Sequence, residues 1–158
     1  MTIRLLRPED RDDLLRLVEA TRAFSPAEVD VAMELIDIAL RRPEQSDYHF
    51  RCIEDPDGRL AGYMCYGEIP LSERCWDLYW IAVDPTRQGR GLGARMVHFM
   101  EADLRERRAR KVFIETGGKA SYTPTRKFYE ALGYREIARV PDFFAVGDDK
   151  VIFGKDVA

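Results

Sequence analysis

Histidine is almost missing from this chain and cysteine is scarce: two His and three Cys in 158 residues. Cys52, Cys65 and Cys75 are odd in number, lie in apolar strand-like stretches and lack CxxC spacing. They read as reduced packing residues, and no metal site is expected. At 100° per residue His98 falls on the side of its helix opposite Leu92, Met96 and Met100, where water covers it. His49 opens a strand between Tyr48 and Phe50, a packing or surface position. Long hydrophobic runs are missing too. No stretch approaches the roughly 18 apolar residues a membrane span needs, and Met1-Thr2-Ile3-Arg4 lacks the apolar core of a secretion signal. A cytoplasmic protein without a membrane partner is therefore expected. Basic excess is absent: the net charge is -3 and the sequence pI about 5.5, against a domain pI above about 9 for a nucleic-acid footprint, so no nucleic-acid partner is expected. Repeats, linkers and low-complexity tracts do not occur. With 46% hydrophobic residues, residues 1–158 are expected to form one domain with a real core.

What the chain has is a readable order of elements. Residues 2–6 alternate as a strand, and Arg7-Pro8-Glu9-Asp10 starts an amphipathic helix with Leu14, Leu15, Leu17 and Val18 on its apolar side. Ser25-Pro26-Ala27-Glu28 is a capping box with Pro at the first helical position, followed by Val29, Met33, Ile36 and Leu40 at helical spacing. Residues 48–54 and 59–68 flank Asp55-Pro56-Asp57-Gly58 and predict an antiparallel hairpin. Residues 75–83 follow as a third consecutive strand. A helix over 91–108 and a strand over 111–116 then imply a right-handed parallel crossover. Thr123-Pro124-Thr125 caps a last helix that ends at Gly133, and residues 134–140 and 150–155 supply closing strands around a loop at 141–149. The expected fold class is α/β, a mixed sheet with helices on both faces, and this mixed connectivity departs from a Rossmann domain.

The most informative segment joins the third of these strands to its helix. Val83-Asp84-Pro85-Thr86-Arg87-Gln88-Gly89-Arg90-Gly91-Leu92-Gly93-Ala94 places three alternate glycines in a strand-to-helix turn. Glycines there can take positive φ and let consecutive N–H groups converge on an anion at a helix start. A plain turn would not need three, since each costs about 0.5–1 kcal/mol at a helix start. A diphosphate is the natural guest. Glu115 and Thr116 end the next strand, which leaves a dinucleotide reading weakened but open.

Val83-Asp84-Pro85, the turn Gln88-x-x-Gly91-x-Gly93, and Phe128-Tyr129-Glu130-Ala131-Leu132-Gly133-Tyr134 resemble the two signature motifs of the GNAT N-acyltransferase superfamily, in the expected order and across essentially the whole chain. The resemblance implies a GNAT-like, mostly antiparallel sheet of six to seven strands. It also implies an acyl-CoA-dependent N-acyltransferase, most often using acetyl-CoA, that acetylates a primary amine by direct attack in a ternary complex. Carried over residue by residue, it assigns Ile81, Ala82 and Val83 to the pantetheine arm. Gln88, Gly89, Arg90, Gly91, Leu92, Gly93 and Ala94 fall to the pyrophosphate. Tyr129 matches the family tyrosine that protonates the departing thiolate. Family members often carry Asn seven residues earlier, where this chain has Tyr122, which puts one cofactor hydrogen bond in doubt while leaving Tyr122 free to pack on the pantetheine arm. The acceptor would be a small-molecule or peptide amine. Dimerisation is common in such proteins, so a homodimer is a further expectation. An inactive CoA-binding sensor of the same fold is the alternative.

An attacking amine must be neutral, and a Lys amine near pKa 10.4 is only about one part in 2,500 neutral at pH 7. A base is therefore sought. On the third central strand Asp77, Tyr79 and Ile81 share one face, and Trp76, Leu78 and Trp80 the other. Asp77 is one candidate base and Glu115, on the next strand, a second. Trp76, Tyr79, Trp80, Phe143 and Phe144 line either an acceptor pocket or the core. Asp142, Asp148 and Asp149 either draw a cationic amine or belong to a solvated loop, and the basic run at 105–111 reads first as a helix C-terminus.

Overall fold

A computed structural model describes residues 1–158. Its contacts gather into two compact units, Met1–Gly67 with Trp80–Glu101, and Glu68–Tyr79 with Ala102–Ala158. The strands form a mixed seven-stranded sheet in the order β1-β2-β3-β4-β5-β7-β6.

The first unit begins with β1 (Thr2–Leu5), a 3-10 turn at Pro8–Asp10, α1 (Arg11–Ala20) and α2 (Pro26–Arg41). The predicted start at residue 7 thus divides into a turn and a helix, because Asp10 is drawn inward. Its carboxylate takes two hydrogen bonds of 2.8 Å from the Arg4 guanidinium and one from the Arg7 amide. Ser25 caps α2 as expected, its hydroxyl accepting the Glu28 amide at 3.2 Å. Then come β2 (His49–Glu54) and β3 (Leu60–Glu68), antiparallel to each other, with β1 antiparallel to β2. Leu14, Val18, Met33 and Ile36 of the helices pack on Phe50, Cys52, Tyr63 and Cys65, one face of the hairpin. Each fully buried apolar side chain of that size contributes about 1.5–3 kcal/mol. The other face meets the helix after β4. A Cβ at Gly62 would lie 2.7 Å from the Ala82 carbonyl and 3.2 Å from the Met96 methyl, so only glycine lets β3, β4 and that helix approach this closely.

β4 (Cys75–Val83) belongs to both units, and α3 (Leu92–Glu106) likewise begins in one and ends in the other. In the second unit β5 (Lys111–Gly117) runs parallel to β4, from Cys75 opposite Lys111 to Leu78 opposite Ile114, as the crossover required. α4 (Thr123–Ala131) starts one residue earlier than the predicted cap: Tyr122 occupies the cap position with no side-chain cap, after a 3-10 turn at Ala120–Tyr122. Gly133, at φ +87°, ends it. The expected loop at 141–149 is corrected by the closing hairpin, in which β6 (Arg135–Ala145) and β7 (Asp148–Asp156) run nearly to the turn. Pro141 is tolerated because β6 is an edge strand with a register shift between Val140 and Ala145. Asp142 replaces the lost ladder: its amide donates to Asp149 at 3.0 Å and its carboxylate accepts the Gly147 amide at 2.7 Å. No helix is long and apolar enough to cross a membrane.

Candidate active site

In the first unit the strand-to-helix turn is fixed by charge on its N-terminal side and left open where the glycines lie. Asp84 caps a 3-10 turn at Pro85–Arg87. Its carboxylate accepts the Thr86 amide at 2.8 Å, the Thr86 hydroxyl at 2.7 Å and the Arg87 guanidinium at 2.6 Å. Burial works against the Asp84 charge, but the Thr86 hydrogen bonds and the Arg87 cation outweigh it and hold the carboxyl below its ordinary range. Arg87 also reaches Asp55 in the β2–β3 turn at 2.8 Å. Gly89 and Gly91 take φ of +76° and +74°, and a Cβ built on either meets no atom within 4 Å. Their conformation requires glycine, while the space in front of them is free. Gly93 departs from the expectation of positive φ, being the second residue of α3. Arg90 is exposed beside this space, Leu92 is buried beneath it, and Gln88 hydrogen-bonds back to the Val83 carbonyl at 3.4 Å. The residues present therefore fit a pyrophosphate: a glycine concavity at the start of a 15-residue helix, next to a free arginine. On the strand before it, Ala82 is buried while Ile81 and Val83 are half-buried.

In the second unit strand alternation places Asp77 of β4, Glu115 of β5 and Lys150 of β7 on one sheet face, and Ile114 and Phe153 on the other. Burial pushes the Asp77 carboxyl up, the Glu115 charge adds to the rise and Lys150 opposes it, leaving Asp77 at about 6. The two candidate bases are thus brought within each other's field. Glu115 is already engaged, its carboxylate 3.0 Å from the Lys150 ammonium. That ammonium also sits 4.3 Å from the centroid of the Phe143 ring. Phe143 and Phe144 are each 53% exposed and meet edge to face at 5.0 Å. Of the aromatics left between pocket and core, Trp76 is core, Trp80 packs on Phe24 at 5.1 Å, and Tyr79 and the two phenylalanines reach solvent. Asp148 has a buried carboxylate oxygen without a hydrogen-bond partner, beside the point where a Cβ at Gly117 would lie.

Tyr129 is not brought to the face of Asp77. It is 5% exposed and packs against Phe153 at 5.9 Å and Tyr134 at 6.3 Å, on the helix side of this half of the sheet. Burial raises its phenol above the ordinary value, so it is protonated throughout the physiological range. Tyr122 lies over the end of β5, where a Cβ at Gly117 would stand 3.0 Å from its ring. Arg126 fastens the same loop by donating to the Gly117 and Lys119 carbonyls, both at 2.8 Å. His98 is exposed and His49 stacks on Tyr66 at 5.5 Å, as their positions implied. In the basic run Arg107 pairs with Asp103, and Arg110 holds the Glu73 carbonyl at 2.8 Å. Sequence reasoning missed two elements. One is the Asp84–Arg87–Asp55 clamp, whose only signal is an Arg three residues after a capping Asp. The other is Lys150, whose reach to Glu115 crosses between strands.

The sequence model of the acetyltransferase (GNAT) family matches residues 14–134. A GNAT-family protein from Desulfovibrio desulfuricans, known from its crystal structure, is 42% identical, covers 99% of both chains and superposes with a TM-score of 0.93. An aminoglycoside 6'-N-acetyltransferase solved with coenzyme A shares the fold at a TM-score of 0.78 and 18% identity, covering 100% of this chain and 98% of that one. Mycothiol acetyltransferase of Salinispora arenicola is 30% identical over 141 residues, 85% of this chain and 44% of that protein. This chain spans about half the length of the curated relatives it matches. With the motifs, the sheet order and these likenesses in agreement, the chain belongs to the acetyltransferase (GNAT) family.

Proposed function

We propose that the protein is an acetyl-CoA-dependent N-acetyltransferase that moves the acetyl group directly to a primary amine of a small molecule or peptide. The observation that carries this reading is the turn at residues 88–94, where two positive-φ glycines face open space at the start of α3. Its N–H groups and Arg90 would hold the pyrophosphate, and the backbone at Ile81, Ala82 and Val83 the pantetheine arm. The Val83 amide would donate to the oxyanion that forms on the thioester carbonyl. Fixing both reactants avoids an entropy loss of about 7–11 kcal/mol in favourable cases.

Asp77 is the base this reading favours over Glu115, because Glu115 is tied to Lys150. A carboxylate raised to about 6 is ionised at pH 7 yet holds a proton more firmly than an ordinary aspartate. It takes a proton from the acceptor ammonium, directly or through one water. The neutral nitrogen then forms the C–N bond as the C–S bond breaks, and Tyr129, kept protonated by burial, would supply the proton to the thiolate from the opposite face of the sheet to Asp77. Tyr122 packs against the pantetheine arm in this reading, in place of a hydrogen-bonding asparagine.

Calorimetric titration with CoA and acetyl-CoA, followed by thiol release over a panel of amino acids, polyamines, aminoglycosides and peptide N-termini, tests this. Micromolar CoA binding and turnover of at least one amine are expected. Absence of CoA binding would sink the proposal, and CoA binding with no turnover would reduce the protein to a CoA-binding module.

A further inference from the structure

The face that carries Asp77 already holds an amine. On β7 Lys150 stands opposite Gly117, and its side chain reaches along the same sheet face to Glu115 on β5. Its ammonium ends 3.0 Å from Glu115 and 4.3 Å from the Phe143 centroid. A carboxylate together with an aromatic face is how a cationic acceptor would be gripped. Both candidate bases, Asp77 and Glu115, have Lys150 within their field. Lysine is also rationed in this chain: Lys111, Lys119, Lys127, Lys150 and Lys155 are five of 25 cationic residues, and all lie in the second unit. Arginine supplies every other positive charge, and lysine is the residue open to acetylation.

We propose that Lys150 is an internal acceptor, acetylated on its ε-nitrogen by the protein's own bound acetyl-CoA. The inference rests on the acetyl-CoA reading above. Lys150 gives up one ammonium proton to the Asp77 carboxylate. The neutral nitrogen attacks the thioester carbonyl carbon, the C–N bond forms, the C–S bond breaks, and the sulfur leaves as CoA thiol after taking a proton. The nitrogen's second proton passes to solvent, so acetyl-CoA and the ammonium become Nε-acetyl-Lys150, CoA thiol and one H⁺. The modification removes a charge. Glu115 is then released from its ion pair and this face becomes more negative, which favours cationic acceptors.

Exposure makes the test sharp. The Lys150 side chain is 17% exposed, whereas Lys111 and Lys119 are 46% and 51% exposed and Lys127 is exposed as well, so uncatalysed acetylation modifies those three before Lys150. The intact protein is incubated with acetyl-CoA and no acceptor, and adducts are followed by whole-protein mass and peptide mapping. The expected result is one acetyl group on Lys150, formed at a first-order rate that does not change with protein concentration. That adduct should be lost in Lys150→Arg, which keeps the charge, and slowed about tenfold or more in Asp77→Asn. Labelling led by Lys111, Lys119 or Lys127, a Lys150 rate matching that of guanidinium-unfolded protein, or a rate that scales with protein concentration would overturn it. CoA titration of the same sample separates the failures. CoA binding without Lys150 labelling removes only this inference, whereas no CoA binding removes the acetyl-CoA reading as well.

Discussion

At residues 88–94 the proposed recognition groups are backbone amides, in a turn shaped by two positive-φ glycines and an Asp84–Arg87–Asp55 clamp. On the face of β4, β5 and β7 they are side chains, Asp77, Glu115, Lys150 and Phe143, drawn from three strands and from β6. The first region needs only that the local chain bend correctly. The second needs distant segments in register, and its charges act on one another: Glu115 and burial raise Asp77 while Lys150 opposes them. A backbone site tolerates change around it and fails at a glycine. A side-chain site can be retuned one charge at a time.

The largest effect expected is at the turn. Gly91→Val forces a β-branched residue to φ +74°, and a CoA titration should show affinity falling about a hundredfold. Because no atom lies within 4 Å of the new Cβ, far-UV circular dichroism should stay native. A variant that keeps wild-type CoA affinity would break the contrast.

Next is Tyr129→Phe, which keeps the ring against Phe153 and Tyr134 and removes only the hydroxyl, the proposed proton donor. It should lower kcat about a hundredfold with CoA affinity unchanged. Equal losses in both would mean that Tyr129 shapes the donor site instead.

Asp77→Asn should lower kcat/KM about tenfold to a hundredfold and abolish the rise of activity through pH 6. Stability carries the opposite sign. The folded carboxyl, raised to about 6, holds its proton after the unfolded chain, near 3.8, has lost its own, so Asp77 destabilises the fold progressively as pH climbs between those values. Thermal melts should therefore show Asp77→Asn more stable than the parent at pH 7.5, by about 1–2 kcal/mol once solvent screening is allowed for, and equal to it below pH 4.

The smallest effect belongs to Arg87→Ala, which removes both arms of the clamp. A CoA titration should show about a threefold to tenfold loss with a lowered Tm, since the partners Asp84 and Asp55 would be left without their cation.

The legible parts of the molecule were those whose cause lies within a few residues. Ser25-Pro26 announces the start of α2, Gly133 ends α4, and the alternate glycines announce the turn, because a cap or a positive φ is a local demand. The segment at 141–149 reads as a loop from sequence because Pro141, Gly147 and three aspartates are ordinary loop signals. Pairing of β6 with β7 and the Asp142–Asp149 hydrogen bond override them. Asp77 is legible as a candidate from alternation on its strand, and Glu115 from its place on the next one. Their inequality is not, because it depends on Lys150 reaching Glu115 across the β5–β7 ladder.

The sequence by itself determined the order of elements, the glycine turn and the two motifs, since periodicity, capping and backbone freedom are short-range properties of the chain. Only the tertiary structure decided that Asp77 stays half-buried with a raised pKa, that Glu115 is spoken for, and that Tyr129 lies among the rings of the helix face. Desolvation and charge coupling depend on distances between strands far apart in sequence, and those distances are set by register and packing.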